Sequence, residues 1–303
     1  MTEEFEQHRD HLMAVAYRML GTRGDAEDAV QEAYLRYATT DRSTLRDVRA
    51  WLTTTTGRIC IDVLRSARVR REAYVGQWLP EPVVERLPDP TDPARGGDPA
   101  AHVSRFADVS LALLLVLERL TPEQRAAFVL HDVFAVPFDE VAEALGTTAA
   151  AARQLASRAR KAVADGPVRH SATPAEQERL LTAFLAAVRG GDVQRLMDLL
   201  APDVVAIGDG GGVVPAGSQP IAGALKVARF MRGIFRQAPK FGPFVGERVL
   251  VNGSLGLLIR FGDFRAVMAF AIEGGRVTAI LDQVNPAKLT TVPLPDPDRN
   301  VFA

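Results

Sequence analysis

Apolar positions recur every three or four residues through the first half of the chain, then give way to short alternating runs in the last third, so helices are expected first and a sheet afterwards. Phe5, Leu12, Met13, Val15, Ala16, Met19 and Leu20 mark a first amphipathic helix that Gly21 ends. Asp25 is expected to cap a second helix, with Ala26, Ala29, Val30 and Ala33 as its buried stripe. Asp28, Gln31 and Glu32 share its other face. The polar stretch Thr39 to Val48 reads as a surface loop. A long helix follows from about Arg49 to Arg71, with Leu52, Thr56, Ile59, Val63 and Leu64 inward and Arg58, Arg65, Arg68, Arg70 and Arg71 giving it positive character. Gly57 inside it costs about 1 kcal/mol of helix propensity. Trp51 reads as a core residue.

From Thr121 the pattern tightens. Thr121 followed by Pro122 opens a helix, and Pro137 restarts the chain for another with Phe138, Val141, Ala142 and Leu145 apolar. Gly146 then ends it, and Thr147 or Thr148 caps a third helix over Ala149 to Val163. That helix carries Arg153, Arg158, Arg160 and Lys161 and no acid, with Leu155, Ala159 and Ala162 left for packing. A short helix, a glycine turn and a one-sidedly basic helix form a helix-turn-helix, the arrangement that seats a helix in the DNA major groove.

Between the helical blocks, Pro80, Pro82, Pro88, Pro90, Pro93 and Pro99 predict an extended, acidic connector over residues 75–107 without regular structure. The last block opens with helices over Pro174 to Val188 and Val193 to Leu200. Next come a strand at Val204 to Ile207 and a helix over Ile221 to Phe235, then strands at Val245 to Val251, Leu255 to Phe261, Arg265 to Ile272 and Arg276 to Val284. Asn252-Gly253 and Gly274-Gly275 are hairpin signals. Helices followed by an antiparallel sheet predict α+β. The proline- and aspartate-rich tail, residues 291–303, is expected to be mobile.

At 303 residues with net charge −1, the composition is that of an ordinary multidomain protein, and the neutrality hides two basic helices. A single cysteine, Cys60, excludes an intrachain disulfide and fits a reducing compartment. The acidic N-terminus lacks an apolar signal region, and the longest apolar run, Leu111 to Leu117, is far short of the ~18 residues of a membrane helix. A cytoplasmic protein with no membrane partner is expected.

Three stretches resemble one family. DAEDAVQEAYLRY (Asp25 to Tyr37), AWLTTTTGRICIDVLRSARVRRE (Ala50 to Glu72) and LTPEQRAAFVLHDVFAVPFDEVAEALGTT with RQLASRARKAV resemble regions 2.2, 2.3 to 2.4 and 4 of extracytoplasmic-function sigma factors. The resemblance implies a transcription initiation factor, and residues 1–74 and 108–165 as two all-α sigma domains. It implies RNA polymerase core as partner through the β′ clamp and the β subunit, contacted by Asp25, Asp28, Gln31 and Glu32. Promoter DNA is implied at the −10 element for Arg42, Arg46, Arg49, Arg58, Arg65 and Arg68, and at the −35 element for Arg153, Gln154, Ser157, Arg158, Arg160 and Lys161. Trp78-Leu79-Pro80-Glu81-Pro82 resembles the WLPEP motif of the SigJ-like subgroup, whose C-terminal extension is a SnoaL-like, NTF2-like cone; residues 174–290 fit that cone. Asp209-Gly210-Gly211-Gly212 resembles the subgroup's DGGGK motif, with Val213 in place of lysine. Asn285-Pro286-Ala287-Lys288-Leu289 resembles NPDKL, with Ala287 in place of aspartate. The implied role is regulation in cis, the cone packing on region 2 and the connector.

Such cones hold an apolar pocket, so a small ligand of unidentified kind is a candidate partner. Related cones also include cyclases and isomerases. No His, Tyr, Cys or Trp follows His170, and Asp209, Asp263 and Asp282 read as turn or surface residues, so no catalytic residue is assigned and a non-enzyme is expected. No His/Cys grouping has metal-ligand spacing, and no metal or cofactor is expected. Two alternatives stand beside the sigma factor: a stand-alone helix-turn-helix regulator with a ligand-sensing cone, and a cyclase- or isomerase-like enzyme fused to a DNA-binding domain.

Overall fold

The structure, a computed structural model, describes residues 2–72, 74–88, 109–166, 172–217 and 219–302; for Thr44 and residues 67–72 only the backbone is described. The chain forms two compact units, Met1–Ala73 with Ser104–Val109 and Leu114–Gly166, and Tyr74–Val103 with Ser110–Leu113 and Pro167–Ala303. Connector residues from 89 to 107 lie outside the described residues.

The helices of the N-terminal half are α1 (Glu3–Leu20), α2 (Arg23–Thr39), α3 (Val48–Glu72), α4 (Leu111–Leu117), α5 (Pro122–Ala127), α6 (Phe138–Leu145) and α7 (Ala149–Ala164). Helix α5 runs on as a wider π-helical turn over Phe128–Val133. The first three pack together through Phe5, Leu12, Val15, Met19, Ala33 and Leu52, all fully buried. Gly21 ends α1 at φ 77°. The cap of α2 is Thr22, not Asp25: its hydroxyl accepts from the Asp25 amide, and Asp25 sits one turn in, accepting from the same hydroxyl at 2.6 Å. Thr121 and Gln124 form a reciprocal capping box at α5. Gly146, at φ 66°, ends α6, and Thr148 caps α7. The buried stripe of α7 is Ala152, Ala156 and Ala159, whereas Ala162 is exposed. Small residues there let α7 lie close to α5 and α6.

The second unit joins α8 (Pro174–Gly190), α9 (Val193–Leu199) and α10 (Ala224–Gln237) to a seven-stranded sheet. Its strands are β1 (Val84–Arg86), β2 (Leu200–Asp209), β3 (Ile221–Ala222), β4 (Phe244–Val251), β5 (Ser254–Phe261), β6 (Phe264–Glu273) and β7 (Arg276–Gln283), in the order β1-β4-β5-β6-β7-β2-β3. Phe184, Leu185, Met231, Leu257, Phe270 and Ile280 form the core between helices and sheet. This is the expected α+β cone, with differences. The β2–β7 pair is parallel, and Ile221 starts a strand rather than a helix. Asn252 and Gly253, with φ 51° and 73°, and Gly274 and Gly275, with φ 57° and 73°, make the hairpin turns.

Two expectations are corrected. Part of the connector is regular: β1 adds to β4 as an edge strand, Val84 opposite Val251 and Arg86 opposite Val249, with prolines only on its flanks. The tail through Phe302 is packed. Val292 is buried, Phe302 stacks on Phe244 with ring centroids 4.6 Å apart, and the Val301 amide bonds the Gly246 carbonyl. A Cβ at Gly246 would lie 2.2 Å from the Phe302 ring, so only glycine admits that ring. The buried carboxylate of Glu247 gathers Arg86, Arg299 and the Asp296 amide, fastening tail and connector to β4.

Candidate functional site

Asp28 and Gln31 stand exposed one turn apart on α2, and Glu32 beside them is ion-paired to Arg36 at 3.0 Å. Leu35, 53% exposed, extends that face by another turn and was not singled out in the sequence. Its one signal is an apolar residue off the buried stripe. On α7, Arg153, Gln154, Ser157, Arg158, Arg160 and Lys161 are all exposed, opposite the alanine stripe. Two are engaged locally: Arg153 lies over the Phe138 ring and Arg160 pairs with Asp132 at 2.7 Å.

The arginines of the first block divide. Arg46 is exposed. Arg42 lies over Tyr37 and 3.8 Å from Glu4, and Arg49 reaches the His11 ring at 3.2 Å. Arg68 belongs to α3, but its side chain lies outside the described residues. Arg58 and Arg65 instead face acids of the helix-turn-helix lobe within the same unit: Arg58 pairs with Glu143 at 2.6 Å and Arg65 with Glu123 at 3.1 Å. Beneath them the contact is apolar and buried. Leu130 fills the space a side chain at Gly57 would need, 3.0 Å from where a Cβ would stand. Thr53 to Thr56 are buried, and Thr53 bonds His11. Burial lowers the His11 pKa to about 4, so the ring is neutral at physiological pH. Arg125, fully buried, donates twice to the Arg18 carbonyl in the last turn of α1, at 3.1 and 3.0 Å, and to Glu118. A cation there also meets the negative end of the α1 dipole. Trp51 is half-buried, 6.2 Å from the Tyr37 ring.

In the second unit the WLPEP, DGGG and NPAKL motifs meet at one carboxylate. Asp209, fully buried at the end of β2, accepts from the Tyr74 hydroxyl at 2.6 Å, the Leu79 amide at 2.9 Å, the Gly211 amide at 3.0 Å and Lys288 at 2.7 Å. Gln283 donates to it from β7 at 3.3 Å and also reaches the Leu79 and Pro80 carbonyls. Lys288 donates to the Leu79 carbonyl and lies over the Trp78 ring at 4.2 Å. Asn285 donates to Tyr74, and a Cβ at Gly211 would fall 2.5 Å from its side chain, which with φ 61° explains a glycine there. Gly210 and Gly212 complete the turn, the latter against Val75; Pro82 is buried, Glu81 half-buried and Pro286 exposed. Burial and the neighbouring carboxylate raise the Tyr74 pKa, keeping the phenol protonated as a donor. The acid read as a turn or surface residue is thus the hub of the cluster, and its cation is Lys288, so the missing lysine at 213 costs this pair nothing. Asp282 is corrected as well: it lies on β7 with its carboxyl covered, while Asp263 is an exposed turn residue as expected.

Residues 5–70 match Sigma-70 region 2, and residues 110–163 match Sigma-70, region 4. The chain is 47% identical over 303 residues to the ECF RNA polymerase sigma factor SigJ of Mycobacterium tuberculosis, covering 96% of this chain and 94% of that one. It belongs to the extracytoplasmic-function RNA polymerase sigma factors. A second relative of this sigma factor is the probable ECF RNA polymerase sigma factor SigI of the same organism, 34% identical over 290 residues, 93% of this chain and 92% of the other. The crystal structure of M. tuberculosis SigJ superposes with a TM-score of 0.77 at 43% identity, covering 97% of this chain and all of that one. The sigma factor therefore directs transcription initiation, and the match to the SigJ structure, over 97% of this chain, takes in the cone. Among the described residues no helix is long and apolar enough to cross a membrane, and no group of three or more His, Cys, Asp or Glu could hold a metal.

Proposed function

We propose that this sigma factor, acting on the cytoplasmic polymerase, rests with its two promoter-reading lobes closed on each other and is tuned in cis by the cone through the connector. The observation that carries the reading is the pairing of Arg58 and Arg65, expected at the −10 element, with Glu143 and Glu123 of the −35 lobe. Asp28, Gln31, Glu32 and Leu35 are the surface we assign to the polymerase clamp, with Asp25 supporting the helix start. The exposed face of α7 is the surface we assign to −35 DNA. The exposed ion pairs are worth at most about 1 kcal/mol each, so phosphates compete for these arginines readily. Closure rests more on buried Arg125 and on Leu130 over Gly57. The cone's part is to hold Tyr74 to Arg86, the start of the segment that joins the lobes in sequence.

Three measurements test this. In vitro transcription should differ between the whole chain and chains cut after Val163 or after Leu289, and Glu32→Ala should lose co-purification with core polymerase while keeping its circular dichroism. Equal transcription by all three chains removes the cone from regulation. Separately, Glu123→Gln/Glu143→Gln should bind promoter duplex several-fold more tightly than Glu6→Gln/Glu27→Gln, which changes net charge equally away from the contact. Equal affinity of the two doubles means the pairs do not restrain the lobes.

A further inference from the structure

From Gly210 to Gly246 the chain contains no aspartate or glutamate, although the two together make up 37 of its 303 residues. The same stretch holds five cations, Lys226, Arg229, Arg232, Arg236 and Lys240, all exposed. Four of them fall on α10 at intervals of three or four residues, so they share one face, opposite the buried Val227, Ala228, Met231 and Phe235. A solvated helix face ordinarily mixes signs, and this one is positive throughout.

At the C-terminal end of that face lies a hollow of about 420 Å³. Arg232 and Arg236 line it from α10, and Arg189 joins them from the last turn of α8. Phe235, Phe244 and, from the tail, Phe302 give it an apolar side. The plainest task for arginines near helix ends is to bond the free carbonyls of the last turn. These three do not: among the described residues none of them donates to a carbonyl or pairs with an acid. Nor do the helix ends cancel their charge, since each supplies about half a negative charge against three whole positive ones, leaving about +2.

Guanidinium forks engage phosphate oxygens two at a time, which an ammonium group does not. Three forks carry more donors than the three oxygens of one phosphate group can use, so linked phosphates match both the donors and the charge. The hollow is of the size small molecules occupy. A DNA duplex, a broad convex rod, does not enter a hollow between two helix ends.

We propose that this hollow binds a small polyanion with two or more linked phosphates, held by Arg189, Arg232 and Arg236. The occupant lies against Phe302 and so holds the tail on β4. Through Arg299, which reaches the Leu87 carbonyl and Glu247, the tail in turn holds the end of the connector. Binding stands without the reading of the cone as a regulator in cis; its consequence for the connector rests on that reading.

Isothermal titration calorimetry of the full chain with tripolyphosphate, inorganic phosphate and promoter duplex tests the site at physiological ionic strength. Tripolyphosphate should bind at one site at least tenfold more tightly than inorganic phosphate. Arg232→Gln/Arg236→Gln should weaken it at least tenfold, while Arg179→Gln/Arg195→Gln, an equal loss of charge at exposed positions outside the hollow, should leave it within twofold. Duplex should bind the two doubles alike. Saturating tripolyphosphate should also slow tryptic cleavage after Arg299 several-fold in the parent and not in Arg232→Gln/Arg236→Gln. The proposal is overturned if the parent shows no saturable binding, if the two doubles lose affinity equally, or if the ligand leaves tail cleavage unchanged. It is overturned too if duplex loses as much affinity as tripolyphosphate at Arg232→Gln/Arg236→Gln, which makes this face a nucleic-acid contact. Since no transcription is measured, such a failure leaves the regulatory reading to stand or fall on its own truncation assay.

Discussion

Replacing Asp282 with leucine is expected to stabilise the cone, and by an amount that grows with pH. The carboxyl's ordinary pKa is 3.8, and burial pushes it up to about 7 in the folded chain. Between those values the unfolded chain has lost the proton while the folded chain keeps it. Folding then binds a proton, so stability falls as pH rises through this window and levels off above pH 7. The slope is about 1.4 kcal/mol per pH unit, and the whole loss by pH 8 is about 4 kcal/mol. Leucine has no proton to lose. The stability gap between Asp282→Leu and the parent should therefore widen by about 1.4 kcal/mol per unit from pH 5 to 7 and stay constant from 7.5 to 8.5. Scanning calorimetry of the cone transition in both chains measures it, and subtraction removes every other titration. A gap that does not change with pH would mean that the carboxyl is solvated and ionised throughout. The gap measures what a carboxyl with one covered, unpartnered oxygen costs the cone.

What the sequence made legible was local. The caps at Thr121 and Thr148, the stops at Gly21 and Gly146 and the two hairpin turns depend on neighbours within four residues, and each stands where the pattern put it. The exposed face of α7 followed from one-sided charge. Apart from the α2 cap, where Thr22 takes the place expected of Asp25, the larger misreadings share a different cause, a partner far along the chain. Asp209 looks like the start of a glycine turn until Lys288, 79 residues later, is brought beside it. The prolines around Val84 to Arg86 argue for loose chain, but β4 offers that segment an edge some 165 residues on, where flanking prolines cost no ladder bond. The tail misled in the same way, since its prolines and aspartates hide Val292 and Phe302 as anchors.

Charge sign carried a subtler ambiguity. The resemblance to sigma-factor region 2 implies Arg58 and Arg65 at the −10 element, and a basic helix face does attract phosphate. The same face attracts carboxylates, and in the structure it has found Glu143 and Glu123. Exposed pairs are weak enough to exchange, so pairing with carboxylates and pairing with phosphates are compatible for the same side chains. Gly57 is similar. It reads as a helix defect, yet it is where Leu130 packs.

Asp209→Ala is expected to be the most damaging single change in the connector cluster. Removing the carboxylate leaves the Lys288 ammonium nearly buried, with its acid gone, and strands the Leu79 and Gly211 amides and the Tyr74 hydroxyl. Breaking a buried pair from one side costs about 3–5 kcal/mol, because the remaining charge keeps its desolvation penalty without its partner. Part of that loss should be recovered by Asp209→Ala/Lys288→Met, which removes the orphaned charge while filling its volume. The two variants also separate energetics from tethering. In both, the Leu79 amide and Tyr74 hydroxyl lose their acceptor, so in both the connector's bonds to the end of β2 are gone and protease should cut within residues 74–83 sooner than in the parent. Denaturant unfolding followed by Trp78 fluorescence in a Trp51→Phe background gives the first quantity, and mapping of the earliest cleavage gives the second. If Asp209→Ala unfolds within 1 kcal/mol of the parent and its connector resists protease equally, the carboxylate is not what fastens that segment to the cone, and regulation through it loses its anchor.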